Sequence, residues 1–321
     1  MKAPEDVRTV AVLGAGFVGF SWAVVFARHG RQVNLYNRPS PSLDAALDRV
    51  RGALEFLAAE GVVTPEAVEE SLARVRLCDD LASAVADADY VQEALPEDLA
   101  LKQRVFADVA SLMPGDVAVG SSASGLMRAK IVGAVAPEHH PERCLVAHPA
   151  NPPHLIPFVE VAGDAASDEA KEATVRLMEA VGQRPVRCRE VYGYVLNRLQ
   201  LALIQQALHL VHAGICSVEG VEAALTEGLG LRWAFTGPYG VEELNSATLT
   251  EGLWKYKAYM LEGFRELGVV EDYDEEFVRA AVEEFRPLMR GRSHDEYLAW
   301  RDHMVMQTRL LKGGGRLDGT P

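Results

Sequence analysis

The chain has 321 residues, which at roughly 150 per domain fits two domains, and its 49% apolar and 24% charged residues are ordinary for a globular protein. The 32 Lys and Arg against 46 Asp and Glu leave a net charge of −14, which argues against a general nucleic-acid binder, whose phosphate contacts need a basic face. The four cysteines, Cys78, Cys144, Cys188 and Cys216, form no C-x-x-C pair, so no zinc site or disulfide framework is expected and a reducing cytoplasmic setting is the simplest home.

Thr9 to Ala27 carries no charge and imitates a membrane span in length. Gly14, Gly16 and Gly19 interrupt it, so it is read as a buried strand, a turn and a helix. No membrane association is expected.

Taken in chain order, the first 190 residues alternate short β-branched runs with helical patterns. Strands are expected at Val7–Leu13, Gln32–Tyr36, Arg74–Leu77, Tyr90–Glu93, Val117–Gly120 and Cys144–Ala147. Helices are expected at Phe17–His29, Leu43–Ala59, Leu99–Ser111 and Asp168–Val181. That alternation predicts βαβ units and a parallel sheet. From Val191 the pattern turns helical: Val195–Ala213, Val218–Thr226, Glu242–Leu267, Glu275–Met289 and Asp295–Leu311. The expected fold class is therefore α/β followed by all-α. A dinucleotide-binding domain of the Rossmann type spans residues 1–190 and a helical domain spans 191–321. The tail from Gly313 to Pro321 has no apolar pattern and is expected to fray.

The run Val10-Ala11-Val12-Leu13-Gly14-Ala15-Gly16-Phe17-Val18-Gly19 is strand, turn, helix. In a G-x-G-x-x-G turn the first glycine allows the tight turn. The second lets backbone approach a pyrophosphate, and the third lets helix pack on strand. Phe17 and Val18 open the helix, whose free N–H groups and positive dipole end suit phosphates. The second strand ends at Asn37-Arg38-Pro39-Ser40, where an NAD site usually carries an acidic residue on the ribose 2′-hydroxyl. Asn37 does not repel a 2′-phosphate, Arg38 can pair with one, and Ser40 can donate to it. The cofactor is thus NAD(P), with NADP slightly favoured.

Further on come Ser124, after a β-branched strand, then His148-Pro149-Ala150-Asn151-Pro152-Pro153. Glu160 stands twelve residues after His148, and Gly193-Tyr194-Val195-Leu196-Asn197-Arg198-Leu199 opens the helical part. This combination resembles the L-3-hydroxyacyl-CoA dehydrogenase superfamily, from Val10 to about Lys312. Within it the chain looks most like the λ-crystallin/L-gulonate 3-dehydrogenase branch, with the L-carnitine dehydrogenase branch near. The chemistry asks for the same residues. Oxidising a secondary alcohol needs a base, and histidine suits. A carboxylate on its second nitrogen orients it. His148 and Glu160 fit those roles. Ser124 and Asn197 match the family positions that hold the alcohol oxygen, and Asn151 matches a further site position near the nicotinamide. Glu93 matches the stretch that lines the cofactor cleft in the family; a surface carboxylate at a strand end is the plainer alternative.

Arg232, in Gly228-Leu229-Gly230-Leu231-Arg232-Trp233, separates the branches. The resemblance implies a small or neutral residue there in acyl-CoA enzymes and an Arg in the gulonate and carnitine branches. A guanidinium can hold a substrate carboxylate bidentately. The other possibility is a structural Arg232 that caps a helix or pairs with Glu242 or Glu243. The expected function is hydride transfer between a small 3-hydroxy carboxylate and a nicotinamide. An acyl-CoA dehydrogenase or a crystallin-like bulk protein are the alternatives. His139-His140 and His209/His212 lack acidic partner sets and are read as surface or packing residues, with no metal. The Leu249–Met260 stripe is read as helical core or subunit interface. The expected partners are a hydroxy or keto acid and a second copy of the chain, joined through the helical domain.

Overall fold

A computed structural model describes residues 1–268 and 274–311. The glycine-rich tail beyond Leu311 lies outside them. The described residues fall into two compact units, Met1–Arg198 and a second that begins at Leu199.

The first unit is an eight-stranded sheet flanked by helices. Its strands are β1 (Thr9–Leu13), β2 (Gln32–Tyr36), β3 (Val75–Cys78), β4 (Tyr90–Glu93), β5 (Ala118–Ser121), β6 (Cys144–Pro149), β7 (Phe158–Ala162) and β8 (Arg184–Cys188). Their spatial order is β3-β2-β1-β4-β5-β6-β7-β8. Every neighbouring pair is parallel except β6–β7. The order reverses between β1 and β4, the position at which a doubly wound sheet opens a crevice at its strand ends.

Helices α1 (Phe17–Arg28), α2 (Pro41–Asp44), α3 (Ala46–Ala59), α4 (Pro65–Leu72), α5 (Leu81–Val85), α6 (Leu99–Leu112), α7 (Arg128–Ile131) and α8 (Asp168–Ala180) connect the strands. Most begin on a side-chain cap. Asp80 accepts from Ser83 N at 2.7 Å, Asp98 from Leu101 N at 2.9 Å and Ser167 from Ala170 N at 3.1 Å. Each cap satisfies one of the N–H groups that a helix start leaves free. The predicted helix Leu43–Ala59 is two helices, because Ser40 caps a short α2 and the chain turns at Ala45. The core is apolar and dense: Trp22 stacks on Phe26 at 5.4 Å, and Leu13, Leu35, Leu54 and Phe106 are fully buried.

Two strands escaped the sequence reading. β7 holds Glu160, a charge that breaks its apolar run. β8 reads Arg-Pro-Val-Arg-Cys, with a proline and two charges. Such residues belong on an edge strand, where they discourage pairing with other chains.

The second unit carries most of α9 (Leu196–His212), then α10 (Val218–Ala223), α11 (Gly230–Trp233), α12 (Pro238–Leu244), α13 (Leu249–Lys255), α14 (Lys257–Glu266), α15 (Glu275–Phe285) and α16 (His294–Leu311). The long helix expected over Glu242–Leu267 is three. Thr248 caps α13 by accepting from Glu251 N at 3.2 Å, and the chain breaks again at Tyr256. Among the described residues no helix is long and apolar enough to cross a membrane.

Candidate functional site

β1 runs straight into the glycine turn at the β1–β4 crevice. Gly14 adopts φ +111, and a Cβ there would meet the Ala94 carbonyl oxygen at 2.5 Å. A Cβ on Gly19 would collide with the Gly14 carbonyl. Only glycine fits either place, so β1, α1 and the end of β4 close up as a dinucleotide turn requires. At Gly16, which precedes α1, a Cβ would meet nothing within 4 Å. The space in front of the first turn is open, and the N–H groups of Phe17, Val18 and Gly19 point out of a helix start that has no side-chain cap. Such a helix start suits an anion.

At the end of β2, Asn37 Nδ2 donates to Ser40 Oγ at 2.8 Å, and the same oxygen caps α2. The Ser40 hydroxyl proton stays free to donate outward. Arg38 beside it is exposed.

Glu93 is the residue whose expected place is corrected. Its carboxylate does not line the cleft or reach the surface. It is fully buried under the turn, where Lys102 Nζ donates to it at 2.7 Å, Leu95 N at 2.6 Å and Ser121 Oγ at 2.5 Å. Lys102, on α6, is fully buried too. A buried charge pair keeps its ionised form only with such a full set of hydrogen bonds.

The loop after β5 carries Ser124. Glu97 holds it from one side: its Oε1 accepts from the N–H groups of Ser124, Gly125 and Leu126 at 3.1, 2.8 and 2.9 Å. Asn197 Nδ2 donates to the Ser124 carbonyl at 3.1 Å, and Tyr194 OH donates to the Leu126 carbonyl at 3.0 Å. The Ser124 hydroxyl makes no bond of its own among the described residues.

His148 and Glu160 meet across the antiparallel β6–β7 pair, Nδ1 to Oε2 at 2.7 Å. Both are buried. The other carboxylate oxygen accepts from Val195 N at 2.7 Å and Leu196 N at 2.8 Å, at the start of α9. Burial by itself would push the Glu160 carboxyl up. The bonds from His148, Leu196 and Val195 outweigh it and hold the group below the ordinary carboxylate range. An ionised Glu160 fixes the Nδ1–H tautomer and leaves Nε2 as a base. His148 Nε2 has no partner among the described residues.

A second polar chain lies behind these groups. Tyr90 OH donates to Gln92 Oε1 at 3.0 Å. Gln92 Nε2 donates to Ser122 Oγ at 2.8 Å and to the Ala147 carbonyl at 3.1 Å. Trp22 Nε1 also donates to Ser122 Oγ, at 3.1 Å. This ties α1, β4, the Ser124 loop and the residue before His148 into one frame. Sequence reasoning missed Gln92, Glu97, Lys102 and Tyr194. The available signal was a polar residue, Gln92, inside an otherwise apolar strand, and a lysine on the buried face of α6.

Asn151 follows β6 and is exposed. Arg232, on α11 of the second unit, is exposed as well, and among the described residues no ion pair ties it to Glu242 or Glu243. Glu243 instead accepts from Leu249 N.

Comparison with known proteins gives the family. Residues 9–191 match the family model described as 3-hydroxyacyl-CoA dehydrogenase, NAD binding domain, and residues 193–266 match its C-terminal domain. A Homo sapiens protein named lambda-crystallin homolog is 37% identical over 319 residues, 97% of this chain and 98% of its own length. An L-carnitine dehydrogenase of Streptomyces coelicolor is 35% identical over 322 residues, 99% and 98%. Among solved structures, one described as the NAD+-dependent dismutase 5-formyl-3-hydroxy-2-methylpyridine 4-carboxylic acid 5-dehydrogenase superposes with TM-score 0.81 at 26% identity. The match covers 97% of this chain and 100% of that one.

Proposed function

Because this chain belongs to the 3-hydroxyacyl-CoA dehydrogenase family, we propose that it is a nicotinamide-dependent dehydrogenase of a small, free 3-hydroxy carboxylate, of the L-gulonate or carnitine type. The observation that carries the reading is the His148–Glu160 pair, 2.7 Å apart and buried, with Nε2 open.

His148 Nε2 takes the hydroxyl proton of the substrate. Glu160 stabilises the imidazolium that results, as an oriented carboxylate does in other His–acid pairs. Ser124 Oγ and Asn197 steady the substrate oxygen as it changes from alcohol to carbonyl. Asn151 completes the wall near the nicotinamide. The dinucleotide, when bound, supplies the hydride acceptor. Phe17, Val18 and Gly19 N–H would hold its pyrophosphate, and Asn37, Arg38 and Ser40 its ribose. The free Arg38 charge and the absence of an acidic residue favour NADP slightly over NAD. Glu93 serves from beneath, through Lys102 and Ser121.

Arg232 is the residue that selects a carboxylate, since no carboxylate of the described residues neutralises it. An acyl-CoA thioester offers no negative charge at that position. A crystallin-like bulk role would leave the pair idle. A panel of 3-hydroxy acids and 3-hydroxyacyl-CoA esters, followed by NAD(P)H absorbance with either cofactor, separates the three. His148→Ala should lower kcat on the true substrate by roughly 10²–10⁴-fold while dinucleotide binding holds. A variant that keeps wild-type kcat removes His148 from the mechanism.

The chain acts as a homodimer through its helical unit. No residue of α9 is buried, and Leu199, Trp254, Tyr259 and Phe264 stand 57%, 69%, 79% and 62% exposed. These exposed apolar side chains are the ones assigned to the dimer interface. Sedimentation of wild type against Trp254→Glu reads it out: a dimer that the substitution weakens supports the reading, and a monomeric wild type ends it.

A further inference from the structure

Tyr194 stands between the His148–Glu160 pair and the Ser124 loop. Its ring lies beside the His148 imidazole, centroids 5.9 Å apart and tilted 35°. Its hydroxyl donates to the Leu126 carbonyl, two residues past Ser124. The next two residues, Val195 and Leu196, supply the N–H groups that hold Glu160. The side chain is 1% exposed.

The backbone is bent to reach this position. Tyr194 has φ +46 and Gly193 before it φ +73. A bulky residue rarely adopts the left-handed region, and such strain persists only where the surroundings over-determine it. Two left-handed residues in succession turn the chain so that Val195 and Leu196 N–H face Glu160 while the Tyr194 ring turns inward on His148. Gly193 accepts this turn without strain; Tyr194 carries it.

We propose that Tyr194 is a positioning residue that sets the Ser124 loop against the His148 imidazole. This rests on the reading of His148 and Ser124 given above. Glu97 holds the N–H side of the loop and Tyr194 holds its carbonyl side, so Ser124 is gripped from both. The phenol suits a pure donor role. Burial, and then the nearby Glu190 charge, push its ionisation well above the ordinary tyrosine value, so the proton stays on. Without the hydroxyl the loop keeps its Glu97 and Asn197 bonds but loses its tether to the residue that packs on the base, so the Ser124 hydroxyl is held less firmly opposite Nε2.

The test is Tyr194→Phe, which keeps the ring and its packing, measured alone and with Ser124→Ala. Removing one neutral hydrogen bond should lower kcat roughly two- to tenfold, with KM for the dinucleotide unchanged. In the Ser124→Ala background the same change should cost nothing, because the group being positioned is gone. Equal losses in both backgrounds would mean that Tyr194 is merely structural and would overturn the proposal. Tyr194→Leu, which also removes the ring from His148, should fall further than Tyr194→Phe. Amide exchange at Ser124, Gly125 and Leu126 needs no substrate. It should rise several-fold in Tyr194→Phe, and unchanged exchange overturns the tether. If wild type turns over no 3-hydroxy carboxylate, the functional reading fails while the exchange result still decides the tether.

Discussion

Glu160 and His148 are directly opposed residues of an antiparallel strand pair, their side chains joined at 2.7 Å on one face of the sheet. The eleven residues between them in sequence are the two strand ends and the loop that joins them. An antiparallel pair places opposite side chains within bonding reach. The sheet itself therefore sets the geometry of the base and its partner.

The first prediction concerns that carboxylate and pH. Despite its burial, the bonds from His148, Leu196 and Val195 hold the Glu160 carboxyl below its ordinary range in the folded chain. A group whose folded value is depressed adds stability above its unfolded value, and that stability is lost as pH falls through the folded one. Glu160→Gln should therefore melt below wild type at neutral pH, and the two curves should converge as pH drops below about 4.5. Thermal melts across pH check this. A gap that stays constant into acid would show that the carboxylate charge contributes nothing.

Lys102 gives the second. It and Glu93 are both fully buried, 2.7 Å apart. Removing one partner of such a pair leaves a buried charge uncompensated, at about 3–5 kcal/mol. Lys102→Met should lose that much in urea unfolding. Lys102→Met combined with Glu93→Gln should recover a large part of it, since no lone charge remains. A double variant no better than the single would mean the loss is one of packing.

The third prediction decides the substrate class. Arg232→Ala should cut kcat/KM on the free hydroxy acid by at least about tenfold, since a charge-assisted bidentate pair contributes about 1.5–3 kcal/mol. The methyl ester of the same acid should lose far less. Arg232→Lys keeps the charge but loses the fork and should be impaired on the acid too. Equal losses on acid and ester would make Arg232 structural and favour the acyl-CoA reading.

The fourth concerns the cofactor. Asn37→Asp places a negative charge where a 2′-phosphate would lie, so KM for NADP should rise and KM for NAD should fall. The structure adds a detail to this expectation. Asn37 Nδ2 donates to Ser40 Oγ, and an aspartate there would accept from Ser40 instead, turning that hydroxyl away from the phosphate. Steady-state kinetics with both cofactors test it. A wild type that already prefers NAD by tenfold or more ends the role given to Arg38.

Much of the scaffold was legible in the residues alone. Gly14, Gly16 and Gly19 declare a dinucleotide turn: a positive φ and a close packing contact exclude a side chain at Gly14 and Gly19, and Gly16 leaves the approach to the helix start open. The alternation of β-branched runs and amphipathic stretches placed β2 and β4 to the residue and most other elements to within a few. His148, Glu160, Ser124 and Asn197 were named as one set, and the fold brings two pairs of them into direct contact, His148 with Glu160 and Asn197 with Ser124. That set came from the family resemblance and from what alcohol oxidation requires, not from any local periodicity. The rest depended on tertiary structure. β7 and β8 are strands only because β6 supplies a partner for one and the sheet edge tolerates the other. Glu93 looked like a cleft residue, yet it turns inward because Lys102 arrives from α6 to meet it. Glu97 and Gln92 had no motif to announce them, and the run that holds Tyr194 gave its side chain no role. Their roles come from bonds to residues 27 to 68 positions away, and a hydrogen bond between distant segments leaves no periodicity in the sequence that makes it.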